Sequence, residues 1–464
     1  MRIHKSMLAM TLALGLVGAA CSSTSEDTTT TTPSQDDVTT TTVENMETTT
    51  TTEAPEDELK TGRGVDVASK TIKIGLLSDL TGLFSPLVID VTDAQQVYWD
   101  KVNAEGGVDG WTVELVVEDT NYNVEQHLEK YEKIKDEVLA LSLSTGSPTT
   151  VAALPQYVAD SMLTIPLGWY SGWAIPAFDS GVVFEQNANY CFDTMNMVEF
   201  AMEQGGQKFA LATFPGDYGQ DTSAGAKHAF DYYDLELVYD GEAAVIPGQD
   251  LTDVIQGIAS SGADWTILAA SPGTAAEIMG GAAQGGYTGK FIGNNATYNF
   301  ALLDSPVGPL VDASFYQSAF NVGWGQDLPG NNEMMAAMAE AYPDRRPSDV
   351  FILGWNQALA MHQVIAQALA NKDITPEGMV AASTEVSIDF GGSQPAQSWA
   401  GTPNDYVVRA TAIYNPDLAL YTAAGGAGQT LSQEGATTGS VLERDFFISE
   451  AAKDYDFTAP CWEM

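Results

Sequence analysis

The sequence predicts an α/β protein of two Rossmann-like lobes, each built on a parallel sheet. A length of 464 residues exceeds what one small core organises, so two lobes plus a tail are expected. From residue 71 onward, β-rich apolar runs alternate with stretches of helical periodicity, as in parallel strands joined by helical crossovers. The alternation starts afresh near residue 192, which gives a second sheet.

The first unit sets the pattern. Ile72, Ile74, Leu76 and Leu77 form an apolar strand that Thr81-Gly82 interrupts. Val91, Ala94, Val97, Tyr98 and Val102 then recur at helical spacing, Gly106-Gly107 stops the helix, and a second strand runs from Thr112 to Val117. Such a unit crosses over with right-handed sense. Ligands in these sheets sit outside the carboxyl ends of the strands, which makes the loop from Asp79 to Pro86, with Ser85, a candidate binding segment.

A helix is expected from Val124 to Lys135 and a third strand from Val138 to Leu141. It leads to Ser144-Thr145-Gly146-Ser147-Pro148-Thr149, where Ser147 is placed as N-cap of the next helix with Pro148 in its first position. Free N–H groups and hydroxyls there suit an anionic group, although a plain capping role accounts for Ser147 equally. A fourth strand, Leu163 to Pro166, runs into Gly168-Trp169-Tyr170-Ser171-Gly172-Trp173. Its aromatic rings are read as a ligand wall, with packing between lobes as the alternative.

The second series has helix Phe192 to Gly205, strand Lys208 to Phe214, loop Pro215 to Asp221, helix Thr222 to Tyr233 and strand Leu235 to Tyr239. Helix Leu251 to Ser260, strand Trp265 to Ala269, helix Thr274 to Gln284 and strand Phe291-Ile292 continue it. Tyr316 to Val322 reads as an extended crossing, followed by helices Asn332 to Tyr342 and Ser348 to Asn371, then short strands such as Tyr406 to Tyr414.

The ends carry different information. Arg2 and Lys5 precede an apolar run from Met7 to Ala20, the form of an export signal and too short for a membrane span. Residues 22–66 are rich in Thr, Asp, Glu and Pro and bury too little to offset their ordering entropy, so a disordered tether is expected. Acidic residues number 62 against 19 basic ones, a formal net charge of −43, which argues against nucleic acid as a partner. Cys191 and Cys461 either pair or stay free in an exported protein, and their spacing does not decide which.

Nothing in the chain assembles a nucleophile with a base. His4 lies in the leader, and His127, His228 and His362 fall within predicted helices. There is no metalloprotease His pair, no Gly-x-Ser-x-Gly and no thiol pair at metal-ligand spacing. Gly425-Gly426-Ala427-Gly428 lacks the preceding strand and following helix of a dinucleotide site. A non-enzyme without cofactor or metal is expected.

Four pieces share one order and spacing with a known family: Asn103 to Gly110, Val116 to Asp119, Gly216 to Gln220 and Gly286 to Gly293. Across about Lys70 to Asp417 the chain resembles the periplasmic (extracellular) solute-binding proteins of branched-chain amino-acid ABC importers. The resemblance implies the type I periplasmic-binding fold, two lobes joined by a three-crossing hinge that close on a solute. Lobe I would comprise residues 67–192 plus 322–384, and lobe II residues 193–321 plus 385–464. Matching positions imply ligand contacts from Ser147, Gly168, Tyr170 and Tyr218, beside the Trp169 ring already read as ligand wall. Asn295, beside Asn294, stands where the family carries a Glu for the ligand ammonium, and Ser271 stands where it carries an aromatic ring. An ammonium without that carboxylate is poorly compensated, so an amide or other small polar solute is as well suited as an amino acid.

Val17 to Cys21 also resembles the lipobox of bacterial lipoproteins, which implies a signal peptide over residues 1–21 and acylation of Cys21. The combined expectation is an extracytoplasmic lipoprotein, monomeric, held to the membrane by its N-terminal lipid and delivering solute to an ABC permease. A ligand-sensing receptor subunit of the same fold, or an exported enzyme, is the alternative.

Overall fold

The computed structural model describes residues 58–463. The leader, Cys21 and the tether up to residue 57 lie outside the described residues. The tether ends earlier than expected: Lys60–Thr61 pairs in parallel with Asp373–Ile374, and Val65–Asp66 pairs with the start of the first long strand. Arg63 fastens this stretch by donating from its guanidinium to the carbonyls of Val138 and Asp160.

The first sheet is centred on β1 (Thr71–Ser78), flanked by β2 (Thr112–Asp119) and β3 (Ala140–Thr145), with β4 (Thr164–Leu167) beyond β3. All four are parallel. Ile72, Ile74, Leu76 and Leu77 are fully buried, as in a parallel strand covered on both faces. Helix α1 (Ser85–Ala104) turns Leu87, Val88, Val91, Val97 and Val102 inward. A long helix from late in the chain, Phe351–Ala370, lies against it. Gly354 lets the two helices approach, since a Cβ there would sit 2.2 Å from the Val91 carbonyl oxygen.

The second sheet has seven strands. They are β5 (Lys208–Thr213), β6 (Glu236–Gly241), β7 (Trp265–Ala269), β8 (Lys290–Gly293), β9 (Phe315–Ala319), β10 (Thr411–Pro416) and β11 (Ser440–Phe447), in the order β11-β10-β9-β8-β7-β5-β6. The sheet is mixed where an all-parallel one was expected: β10 runs antiparallel to β9 and β11 antiparallel to β10. These two strands come from the chain's last return to this sheet, and the link between them holds only the one short helix Leu418–Ala423 and a single 3-10 turn.

The chain therefore passes between the sheets three times. The passages bind one another: Val322 N donates to Ser393 O at 2.9 Å, Trp399 Nε1 donates to Glu185 O at 2.8 Å, and Ala188 bridges Val408. A disulfide joins Cys191 to Cys461 with 6.3 Å between their Cα atoms. It brings the tail to the loop after β4, where Tyr170 OH donates to Trp462 O and Cys461 N donates to Ser171 Oγ, both at 2.8 Å. Among the described residues no helix is long and apolar enough to cross a membrane.

Candidate functional site

The carboxyl ends of strands from both sheets face one cavity. It leaves about 50 Å³ for the centres of water-sized molecules, within about 530 Å³ of atom-free space counting its mouth. The first sheet's side supplies Phe84, Leu87, Val88 and Val91 from α1 and the turn before it, Tyr122 after β2, Thr145 to Ser147 after β3, and Leu167 with Trp169 after β4. Tyr218, Asn295 and Ala296 come from the second sheet's side, Tyr190 from the first passage, and Val350 with Leu353 from the long helix and its start. Among the described residues no Asp, Glu, Lys, Arg or His lines it. The walls are apolar and aromatic, with hydroxyls gathered at one end.

That polar end is built by helix α2 (Ser147–Ala159). Gly146, at φ 89°, makes the turn from β3 and is the N-cap, so Ser147 is the first helical residue rather than the cap. Its Oγ is consequently free of a capping bond and, buried, faces the Asp217 carboxyl without a hydrogen bond of good geometry; Thr145 Oγ1 is buried with no hydrogen-bond partner. A helix start also leaves backbone N–H groups unsatisfied by the helix itself. Gly168 closes tightly over this point, since a Cβ there would lie 2.5 Å from Ser147 Oγ.

Behind Ser147, on the second sheet's side, stands Asp217. Helix α3 (Asp217–Tyr233) begins five residues before the expected start because Gly216, at φ 87°, turns the chain directly out of β5. Burial pushes the Asp217 carboxyl up to about 6, while the Ser147 hydroxyl and backbone N–H groups pull it down. Its Oδ2 has no hydrogen-bond partner of good geometry. The next residue, Tyr218, presents its ring to the cavity against Tyr190, with centroids 4.6 Å apart. Its hydroxyl points inward, donating to Asn294 Oδ1 at 3.0 Å and meeting Thr297 Oγ1 at 2.9 Å.

The expected residues divide accordingly. Ser147, Trp169, Tyr218 and Asn295 meet at the cavity, and Gly168 buttresses Ser147. Asn295 is pinned by neighbours: its Nδ2 donates to Asn321 Oδ1 at 3.0 Å and its Oδ1 accepts from Phe320 N at 3.3 Å. Asn294 stands one layer back, holding Tyr218. Three residues lie elsewhere. Tyr170 is buried with its hydroxyl committed to the tail; Ser85 donates to Gly82 O and leaves the cavity to its neighbour Phe84; Ser271 pairs with Thr274.

Phe84 and Tyr122 were not singled out from sequence. Asp79 holds Phe84 in place, its carboxylate accepting from Gly82 N at 2.6 Å and Phe84 N at 2.7 Å. Asn121 and Tyr122 both have left-handed backbone, at φ 50° and 48°, a strained pair that aims the Tyr122 ring at Phe84 and Gly146. No group of residues suited to a metal ion occurs among the described residues.

A family model described as periplasmic binding protein matches residues 71–415. Among solved structures, a fatty acid ABC transporter substrate-binding protein from Thermomonospora curvata is 29% identical, with a TM-score of 0.76 over 87% of this chain and 97% of that one. A branched-chain amino acid ABC transporter protein from Thermus thermophilus with bound valine is 18% identical, with a TM-score of 0.68 over 82% and 98%. A leucine-binding protein from Thermotoga maritima is 17% identical, with a TM-score of 0.64 over 74% and 95%. No curated protein matches the chain.

Proposed function

This chain belongs to the periplasmic binding protein family, and we propose that it captures an aliphatic carboxylic acid between its lobes and hands it to an ABC permease. The observation that carries this reading is a cavity walled by Phe84, Leu87, Val88, Val91 and Leu353, with no charged side chain in its lining, whose polar end holds the buried hydroxyls of Thr145, which has no partner, and of Ser147, whose one polar neighbour is the Asp217 carboxyl. An apolar body fits the walls, and one carboxyl group meets Ser147 and the start of α2. With the amide Asn295 at the opposite wall, a ligand ammonium would find no carboxylate among the lining residues. This reading departs from the small polar solute, an amino acid or amide, expected from the sequence, in favour of one with an apolar body and a single polar end. The fatty acid named for the Thermomonospora curvata relative agrees with this chemistry.

Binding is the task, not catalysis. The proposed lobes are residues 67–192 plus 322–384 and residues 193–321 plus 385–464, hinged at the three passages. A solute touching Ser147 and Trp169 on one side and Tyr218 on the other stabilises the closed form, which the permease recognises. We place the protein outside the cytoplasm, as its family is, and tethered through acylated Cys21.

Thermal unfolding with linear aliphatic acids, the matching amides and leucine tests the reading. Acids should raise Tm, and each methylene buried should tighten binding about fourfold until the cavity is full. A rise with leucine and none with the acids would overturn it.

A further inference from the structure

A second cavity, with about 300 Å³ for the centres of water-sized molecules, opens beside the first and third passages between the sheets. It shares no lining residue with the cleft. Four aromatic side chains wall it: Trp173, Phe184, Trp399 and Tyr406. The Phe184 and Trp399 rings lie 4.1 Å apart. Trp399 Nε1 already donates to Glu185 O, and Tyr406 OH to Ala174 O at 2.7 Å, whereas Trp173 Nε1 is buried without an acceptor.

Two acidic residues also line this cavity, Asp179 and Glu185. Asp179 accepts from Gly181 N at 2.8 Å and Val183 N at 3.3 Å. Glu185 is 3% exposed, and its buried Oε1 has no hydrogen-bond partner. Neither carboxylate makes a salt bridge among the described residues. A buried acceptor without a donor is costly, and so is a buried acid without a cation. Burial pushes Asp179 up to about 7 and Glu185 well above the usual carboxylate range. A positive guest would favour the ionised form of both. Pro176, Thr384, Ala400 and Gly401 are exposed at the mouth, so the space is reachable from solvent.

We propose that this cavity binds a small primary or secondary alkylammonium ion, its N–H donated to Glu185 and its alkyl part held among the aromatic rings. An inorganic cation would make poor use of four rings, and a quaternary ammonium would leave Oε1 without a donor. Glu185 belongs to the first passage and Trp399 to the third, so an occupant adds contacts across two of the three connections between the sheets.

Calorimetric titration of the whole chain with propylammonium chloride tests this, with 1-propanol and sodium chloride at matched ionic strength as references. Saturable binding of propylammonium alone, with Kd of roughly 1 mM or tighter, is expected. Glu185→Gln should weaken it about tenfold or more. Ala400→Trp, at the exposed mouth, should block it while leaving the unfolding temperature near that of the parent. Absence of saturable binding, or a titration unchanged in Ala400→Trp, overturns the proposal.

Discussion

Gly168 and Ser147 are in closest contact: a Cβ on Gly168 would stand 2.5 Å from Ser147 Oγ and 2.8 Å from Ser147 N. The position of the Ser147 hydroxyl is set from across the strand ends by a residue with no side chain. Gly168→Ala should therefore weaken aliphatic-acid binding about tenfold or more by displacing Ser147. Overpacking should cost about 1–3 kcal/mol of stability. Isothermal titration and urea unfolding measure the two effects, and an unchanged Kd would count against Ser147 as the polar contact.

Tyr218 separates ring from hydroxyl. Its OH is bound to Asn294 and Thr297 behind the cavity wall. Tyr218→Phe should lower stability by about 1–3 kcal/mol and leave solute affinity within about a factor of two. Tyr218→Ala should lower affinity about tenfold or more, because the wall itself is lost. Equal affinity losses in both variants would place the hydroxyl on the solute instead.

Asp217 sets a pH dependence on binding. Its carboxyl, near 6 through burial, stands behind Ser147, and ionised it repels a solute carboxylate. Affinity for octanoate should rise as pH falls from roughly 8 to roughly 6, while octanamide should show no such trend. Asp217→Asn should abolish the dependence.

Stability should fall as pH rises. Asp221 accepts from Ser171 N at 3.0 Å and Ser171 Oγ at 2.6 Å, yet burial pushes its carboxyl up to about 7. Between the unfolded value of 3.8 and about 7 the folded chain holds a proton that the unfolded chain has released. This contribution is full at low pH and is lost as pH rises through about 7. Asp179 and Asp193 act in the same direction. The urea midpoint should decline from roughly pH 5 to roughly pH 8, and less steeply in Asp221→Asn. A rising midpoint would contradict this.

The Cys191–Cys461 bond spans 270 residues of sequence. Replacing both with Ala should cost about 2–5 kcal/mol and free the tail, so that Trp462 leaves Tyr170 and proteolysis near residue 460 becomes faster. An unfolding midpoint and a digestion rate equal to the parent's would refute a structural role.

Most strands and helices were legible because apolar periodicity is local: Trp265 to Ala269 read as a strand and is one. Helix starts were less so. Ser147 and Asp217 each lie one step past a glycine in left-handed backbone, and that geometry, not side-chain preference, sets where α2 and α3 begin. The antiparallel β10 and β11 depend on a third return of the chain that no local pattern encodes. Tyr170 looked like cavity wall beside Trp169, but alternation along the chain turned it to the opposite side, onto the tail. Phe84 and Tyr122 owe their places to Asp79 and to two strained backbone angles, neither visible in composition.

The most direct measurement is isothermal titration of the protein and of Ser147→Ala with octanoate and octanamide. Tight binding of octanoate, weaker binding of octanamide, and loss of that preference in Ser147→Ala are predicted. Equal affinities for acid and amide in the parent protein, or a preference untouched by Ser147→Ala, would contradict capture of a carboxyl group at the start of α2.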